Sequence, residues 1–434
     1  MKPSRLLAAL LILLPASVSA AGKPNILYIL ADDMGYADAG FNGGKDIKTP
    51  NLDQIANGGS ILKSFYVQPV CSPTRSTLMT GRYPARTGVY SVVRPQAPWG
   101  LKPEEQTLAQ TLRSAGYETA ITGKWHLGEF EPAYRPMQRG FDHQYGPWFG
   151  AIDYFTHLRE GVLDWHRDDH PSKDEGYSTH LIAKEACRII REKSPDKPLF
   201  LYLPFNAVHA PHQVPSSYCE PYSNLKGVRR TYAGMVSAMD EAIGQVLAAL
   251  DEKKIRDNTL IIFSSDNGGP APGRITSNGP LRAGKGTIYE GGVRVCACVN
   301  WPGHIPAGKT IDEPLHAVDW YPTLAKLSGA PVDQKLPLDG LDIWQVLTEG
   351  AKSPHDALIL CGTERGQAAI RMGDWKLLVG AGGGNQLYNL AEDIGETLNL
   401  ADAQPEKLNE LRAKYDEMMK TAVPSGAVPG GLKE

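Results

Sequence analysis

Cysteine is scarce, with six in 434 residues. So thin a supply in so long a chain excludes a scaffold held together by disulfides. Setting Cys71 aside leaves an odd five, so at least one thiol stays free or pairs between chains. The N-x-[ST] glycosylation sequon is missing, which favours a bacterial periplasmic or surface protein over a lysosomal one. Neither sign of charge dominates: the formal net charge is −3 and there is no long basic run. A general nucleic-acid surface is excluded, and any bound anion must be held by a local site. Past residue 20, no apolar run approaches the ~20 residues of a membrane span. Internal repeats and low-complexity segments are absent too. The chain opens differently: Lys2 and Arg5 precede an apolar run from Leu6 to Leu14, and small residues continue to Ala20. That pattern predicts a secretory signal peptide over residues 1–20 and an exported protein, periplasmic or extracellular.

What remains is 42% hydrophobic and 21% charged, enough for one large core and a smaller domain. Short apolar runs rich in β-formers alternate with helical patterns, which predicts an α/β fold on a mostly parallel sheet. Four runs end, on their carboxyl side, in polar residues. "NILYIL" (25–30) runs into "ADDMG", and "YETAIT" (117–122) into "GKWHLG". "LFLYLPF" (199–205) runs into "NAVHAPH", and "TLIIFSS" (259–265) into "DNGG". Taken singly these are ordinary: Asp32 and Asp33 as a loop start and helix cap, His209 as a loop histidine, "DNGG" as a turn. Ligands of open α/β sheets, however, bind beyond the carboxyl ends of strands, so four such endings point to one composite site. The hard oxygens of Asp32, Asp33, Asp266 and Asn267 suit Ca²⁺ ahead of Mg²⁺. Arg75, Lys124, Lys285, His126 and His209 suit an anionic substrate.

The stretch "VCSPTRSTLMTGR" (70–82) raises a separate question. Ser72 is suited to capping and Pro73 to the first helical position, which predicts a helix over 73–80. Cys71 would then stand just before a helix N-terminus, where a thiolate gains. A nucleophile, a metal ligand, half a disulfide and a precursor of another group all remain open. Arg75 follows four positions on, not the six of a phosphatase cysteine loop, and a papain-like site has no use for the carboxylates.

"CSPTRSTLMTGR" resembles the C-x-P-x-R signature of type I sulfatases, in which a maturation enzyme oxidises the cysteine to formylglycine. "PNILYILADDMGY", "GYETAITGKWHLG", "VHAPH", "FSSDNGG" and "PLRAGKGTIYEGGVR" resemble the other family blocks, in family order, over about residues 24 to 400. "PLFLYLPFNAVHAPHQVP", "YAGMVSAMDEAIG" and "GAIDYFTH" are similar to the arylsulfatase B (N-acetylgalactosamine-4-sulfatase) branch. Ala283 departs from a glycine common in relatives, with little consequence expected. The resemblance implies an alkaline-phosphatase-like fold and a sulfuric ester hydrolase using Ca²⁺. Asp32, Asp33, Asp266, Asn267 and an oxygen of converted Cys71 would bind the ion. Arg75 and Lys124 would fix the formylglycine hydroxyls, and Lys124 and Lys285 the sulfate oxygens. His126 would be the base that restores the aldehyde, and His209 the proton donor to the leaving alcohol. A hydrated aldehyde carries two hydroxyls, one to attack sulfur and one to let sulfate leave; a thiol would stay sulfated.

The resemblance also implies a catalytic domain over 21–345 and a small C-terminal domain over 346–434. Turn-rich residues 330–360 read as a linker with a short helix, "AAIRMGDWKLLVG" as a hairpin turning at Gly373 and Asp374, and residues 405–420 as an amphipathic helix packed on its own sheet. Cys296 and Cys298 in "VRVCACV" alternate as buried residues of one strand. Segments 94–100 and 145–161 are candidates for a sugar pocket, with Asp153 and His157 as substrate contacts; Trp148, Phe149 and Tyr154 fit the core equally well. The expected substrate is a sulfated glycan, attacked exo at a terminal galacto-configured sugar such as N-acetylgalactosamine 4-sulfate. Alternatives are a marine galactan such as carrageenan, a phosphate or phosphonate ester, or, for an inactive protein, glycan binding alone. The expected partners are that oligosaccharide and the maturation enzyme, with no nucleic acid and no membrane span.

Overall fold

The computed structural model describes residues 22–331, 335–363 and 366–427. The signal peptide expected over 1–20 lies outside them.

Asn25–Ala31 is the middle of the main sheet, parallel to Thr259–Ser265 on one side and to Leu199–Pro204 on the other. Glu118–Thr122 and then His143–Gly146 extend the parallel part. Antiparallel strands flank it, Ala297–Asn300 beside Thr259–Ser265 and His166–Arg167 beside His143–Gly146, so the ten-stranded sheet is mixed around a parallel centre. The centre reads as unbroken apolar runs because both faces are covered. Leu27, Ile29 and Ala31 enter one core, with the helices Ser178–Glu192 and Gly227–Glu252. Ile26, Tyr28 and Leu30 enter the other, with Leu108–Ser114 and Trp320–Ser328. Side chains alternate across a strand, and each face is fully buried.

A second sheet follows: Leu358–Cys361, Ala368–Met372, Trp375–Ala381 and Gly384–Asn389, antiparallel in that order. The hairpin turns where the sequence predicts, with Gly373 at φ 56°. Pro405–Met419 lays Leu411 and Tyr415 against Ile370, Leu377 and Val379 of that sheet. Its other face meets Tyr66, Ile288 and Val293 of the catalytic part. The boundary expected at 345/346 falls inside the helix Trp344–Glu349, whose Val346 and Leu347 are buried in the main core. The run expected as one strand around Cys296 is two, Arg294–Val295 and Ala297–Asn300, in different sheets. Cys296 and Cys298 are nevertheless both buried in the same cluster, and all six cysteines are free. No helix among the described residues is long and apolar enough to cross a membrane.

Candidate active site

Ala31 and Ser265 are register partners, so Asp32 and Asp266 leave the sheet side by side. Asp266 N–H donates to Ala31 O at 3.0 Å and Asp32 N–H to Ala207 O at 2.9 Å, tying three strand ends together. Asp33 takes a left-handed backbone at φ 65°, and its N–H donates to Asp266 Oδ1 at 3.2 Å. Ser265 Oγ accepts from Met34 N–H and donates to Asn267 O, clamping the two loops.

The helix expected over 73–80 begins earlier, at Cys71, after extended Val70 and with no side-chain cap. Ser72 is therefore not the cap; its Oγ accepts the N–H of Val93 at 3.0 Å. Cys71 occupies the first turn of a helix buried along its whole length, and Sγ donates to Asp32 Oδ1 at 3.4 Å. Arg75, four residues on, returns to the same face. Its Nε and Nη2 reach Asp266 Oδ2 at 3.3 and 2.9 Å, Nη2 lies 3.4 Å from Asp32 Oδ2, and Nη1 donates to Lys124 O at 2.8 Å. Lys124 Nζ pairs with Asp32 Oδ2. Lys285 Nζ lies 2.7 and 2.8 Å from the two oxygens of Asp33, and His209 Nε2 lies 3.6 Å from Asp33 Oδ2. Nine predicted residues are thus bonded or paired into one set, and His126 adjoins it, within reach of the charges of Lys124, Arg75, Asp32 and His209.

Burial would raise the Asp32 carboxyl, but Lys124, His209 and Arg75 outweigh it and hold the group well below the usual carboxylate range. Burial opposes ionisation of Asp33 too, and there Lys285 and His209 prevail. Asp266 goes the other way: burial, then the charge of Asp32, raises it. Cys71 is also raised, by burial first and then by Asp266 and Asp32. Burial first, and the two adjacent carboxylates after it, oppose the helix-end gain expected for a thiolate.

Whether a hard cation fits is decided by the donors. Ligand atoms of Asp32, Asp33, Cys71 and His209 all lie within 4.8 Å of one another. Asn267 donates Nδ2–H to Asp33 Oδ1 at 2.8 Å, while its Oδ1 is buried with no hydrogen-bond partner. An orphaned amide oxygen beside crowded carboxylates, one of them resisting ionisation, fits a divalent cation.

His126 also sits at positive φ, 61°, and its Nε2 is 3.0 Å from Val93 O. A carbonyl only accepts, so Nε2 carries the proton and Nδ1 the lone pair. Nδ1 is buried and unpartnered. Burial, then Lys124 and Arg75, pushes this ring well below its ordinary pKa, which keeps it neutral. Ser72 thus holds Val93, and Val93 sets the tautomer of His126.

The two residues expected to touch sugar lie outside this set. His157 is 1% exposed, its ring 4.4 Å from that of Trp165 and its Nε2 3.1 Å from Gly176 O. Asp153 caps its own loop, accepting from Phe155 N, Thr156 N and Gln213 Nε2. Tyr154 does work that its pattern did not announce: its hydroxyl donates between Asn206 O at 2.7 Å and His209 O at 2.8 Å, bracing the loop of His209. Trp148 is core, its ring stacked 3.6 Å from His166, and Phe149 is half-buried.

Three carboxylates and an amide at strand ends, facing three cations and two histidines across a buried residue, define a hydrolase of anionic esters. A family model described as Sulfatase matches residues 24–330, and the chain belongs to the sulfatase family. Arylsulfatase J of Mus musculus is 37% identical over 94% of this chain and 78% of its own length. N-acetylgalactosamine-6-sulfatase of Canis lupus familiaris is 35% identical over 79% of this chain and 70% of its own. The crystal structure of Ps i-CgsB in complex with k-i-k-neocarrahexaose matches with a TM-score of 0.88 at 35% identity, covering 92% of this chain and 94% of that one. The enzyme is a sulfuric ester hydrolase with the alkaline-phosphatase-like fold expected from the sequence.

Proposed function

We propose that this enzyme is an exported, calcium-dependent sulfatase of the arylsulfatase B-like branch that removes sulfate from a terminal galacto-configured sugar of a sulfated glycan, N-acetylgalactosamine 4-sulfate first, after a maturation enzyme converts Cys71 to formylglycine. The observation that carries the reading is the convergence around Cys71 of a hard-oxygen set with Lys124, Lys285, Arg75 and His209, His126 adjoining Lys124 and Arg75.

In this reading Asp32, Asp33, Asp266 and Asn267 hold the cation, which supplies positive charge against a sulfate oxygen. The hydrated aldehyde at position 71 supplies the attacking hydroxyl. Arg75 and Lys124, anchored by Asp266 and Asp32, orient that hydroxyl pair. Lys124 and Lys285 hold the remaining sulfate oxygens as charge builds on them. His209 donates Nδ1–H to Ala210 O at 2.5 Å, so it protonates the departing sugar oxygen from Nε2–H of its imidazolium form, whose charge Asp33 and Asp32 favour against burial. His126 Nδ1 takes the proton whose removal frees sulfate.

The test is sulfate release from 4-sulfated and 6-sulfated N-acetylgalactosamine, chondroitin oligosaccharides and carrageenan oligosaccharides, with aryl phosphate as the control for phosphoryl transfer. The 4-sulfate at a chain end is expected to lead. Release from polymer interiors would remove the exo assignment, and preference for 6-sulfate the sugar. Carrageenan is the second reading, favoured by the 35% identical structure that carries neocarrahexaose. Chelation should abolish turnover and calcium restore it ahead of magnesium.

A further inference from the structure

A depression of 550 Å³ is lined by Ala37, Lys45, Asp46, Lys226, Arg229, Arg274 and neighbouring residues. Its walls are the segments that follow the strands Asn25–Ala31 and Thr259–Ser265 and the start of the helix Gly227–Glu252. Ala37 lies four residues beyond Asp33, so the two are at most ~14 Å apart along the chain. Ala37 N–H donates to Ser277 O at 2.8 Å, joining two of the walls.

The lining carries four cations and one carboxylate, in a chain whose net charge is negative. Arg229 is committed to the frame: it bonds Asp38 Oδ1 at 2.7 Å and both oxygens of Asp46 at 2.8 and 2.9 Å. Asp38 in turn accepts from Tyr232, whose hydroxyl takes Gly35 N–H, two residues from Asp33. Lys45, Lys226 and Arg274 are exposed and have no ion pair among the described residues. Their charge is left for something else. The depression beside Phe155 and His212 carries one cation, Arg230, against one carboxylate, Glu220, and has no such surplus.

We propose that the Lys45–Lys226–Arg274 depression is a second anion subsite, holding a sulfate ester on a sugar removed from the one being cleaved. It rests on the sulfated-glycan reading above and deepens it: the preferred substrate is a multiply sulfated chain, read at two points. A guanidinium and two ammonium groups are the chemistry such an ester requires.

The experiment compares the wild-type enzyme with Lys45→Ala/Lys226→Ala/Arg274→Ala on three substrates: an aryl monosulfate, a singly sulfated oligosaccharide, and that oligosaccharide with one further sulfate. These exposed positions lie outside the catalytic set, so aryl sulfate turnover stays unchanged. KM for the doubly sulfated oligosaccharide rises about tenfold, on the scale of hydrogen bonds to charged groups discounted for exposure. Its dependence on ionic strength flattens as well. Unchanged KM for that substrate, or an equal loss on all three, overturns the subsite. If the wild type cleaves aryl sulfate and no oligosaccharide, the glycan reading has failed and the subsite falls with it. That outcome is separable because it appears before any variant is made.

Discussion

Replacing Lys376 by methionine tests how the C-terminal sheet is joined to the catalytic part. Lys376 Nζ lies 2.8 Å from Glu290 Oε1 and 3.0 Å from Glu396 Oε1, and none of the three side chains is exposed. Methionine keeps much of the stem and leaves two buried carboxylates with no ammonium between them. Glu290 retains the Tyr66 hydroxyl at 2.7 Å and Arg294 at 3.4 Å; Glu396 retains the N–H of Glu290 at 2.6 Å. Removing one partner of a buried ionic set costs about 3–5 kcal/mol. The sign with pH follows from Glu396. Burial raises its carboxyl and Glu290 adds to that, while Lys376 opposes both, so the variant raises it further. Between the unfolded and folded pKa values the native state holds a proton that the unfolded state has lost, and stability falls as pH rises. Urea unfolding should therefore show a larger deficit near pH 8 than near pH 5, with Lys376→Met/Glu396→Gln recovering part of it. A deficit under about 1 kcal/mol at pH 8, or one that grows on acidification, would refute the reasoning.

Lys285→Ala should lower kcat on aryl sulfate by about 100- to 1,000-fold, measured on protein shown to be folded, because losing the partner of buried Asp33 also lowers the unfolding midpoint. Ser72→Ala frees Val93 N–H and loosens the carbonyl that sets the His126 tautomer. A several-fold fall in kcat, with a shifted pH profile and full conversion of residue 71 by mass spectrometry, is expected; loss of conversion alone would assign Ser72 to maturation instead. Ala283 sits at φ 59°, so the departure from glycine has a cost the sequence did not reveal. Ala283→Gly should gain about 0.5–1 kcal/mol in thermal or urea unfolding, the left-handed strain exceeding the added chain entropy.

The central strands were legible because burial on both faces makes them continuous apolar runs, and the polar residues ending them mark the ligand edge of the sheet. Cys71, Arg75, Lys124, His126 and Lys285 were legible for another reason, their place in short local motifs. What escaped depends on contacts distant in the chain. His157 looked like a sugar ligand and is buried on Trp165, because its loop folds inward over a partner the spacing does not show. Val93 contributes a carbonyl, which no side-chain pattern reports. Lys376 finds Glu290 across the join between two sheets, and Lys45, Lys226 and Arg274 line one depression from three distant parts of the chain. The early start of the Cys71 helix was hidden because Ser72, a good cap by type, spends its hydroxyl on Val93.

The most direct test of the catalytic account is mass spectrometry of the peptide spanning Cys71, from a preparation whose sulfate release is measured on the same sample. The account predicts formylglycine at position 71 in proportion to activity, and no turnover from Cys71→Ala. Full activity from protein carrying the unmodified thiol would contradict it.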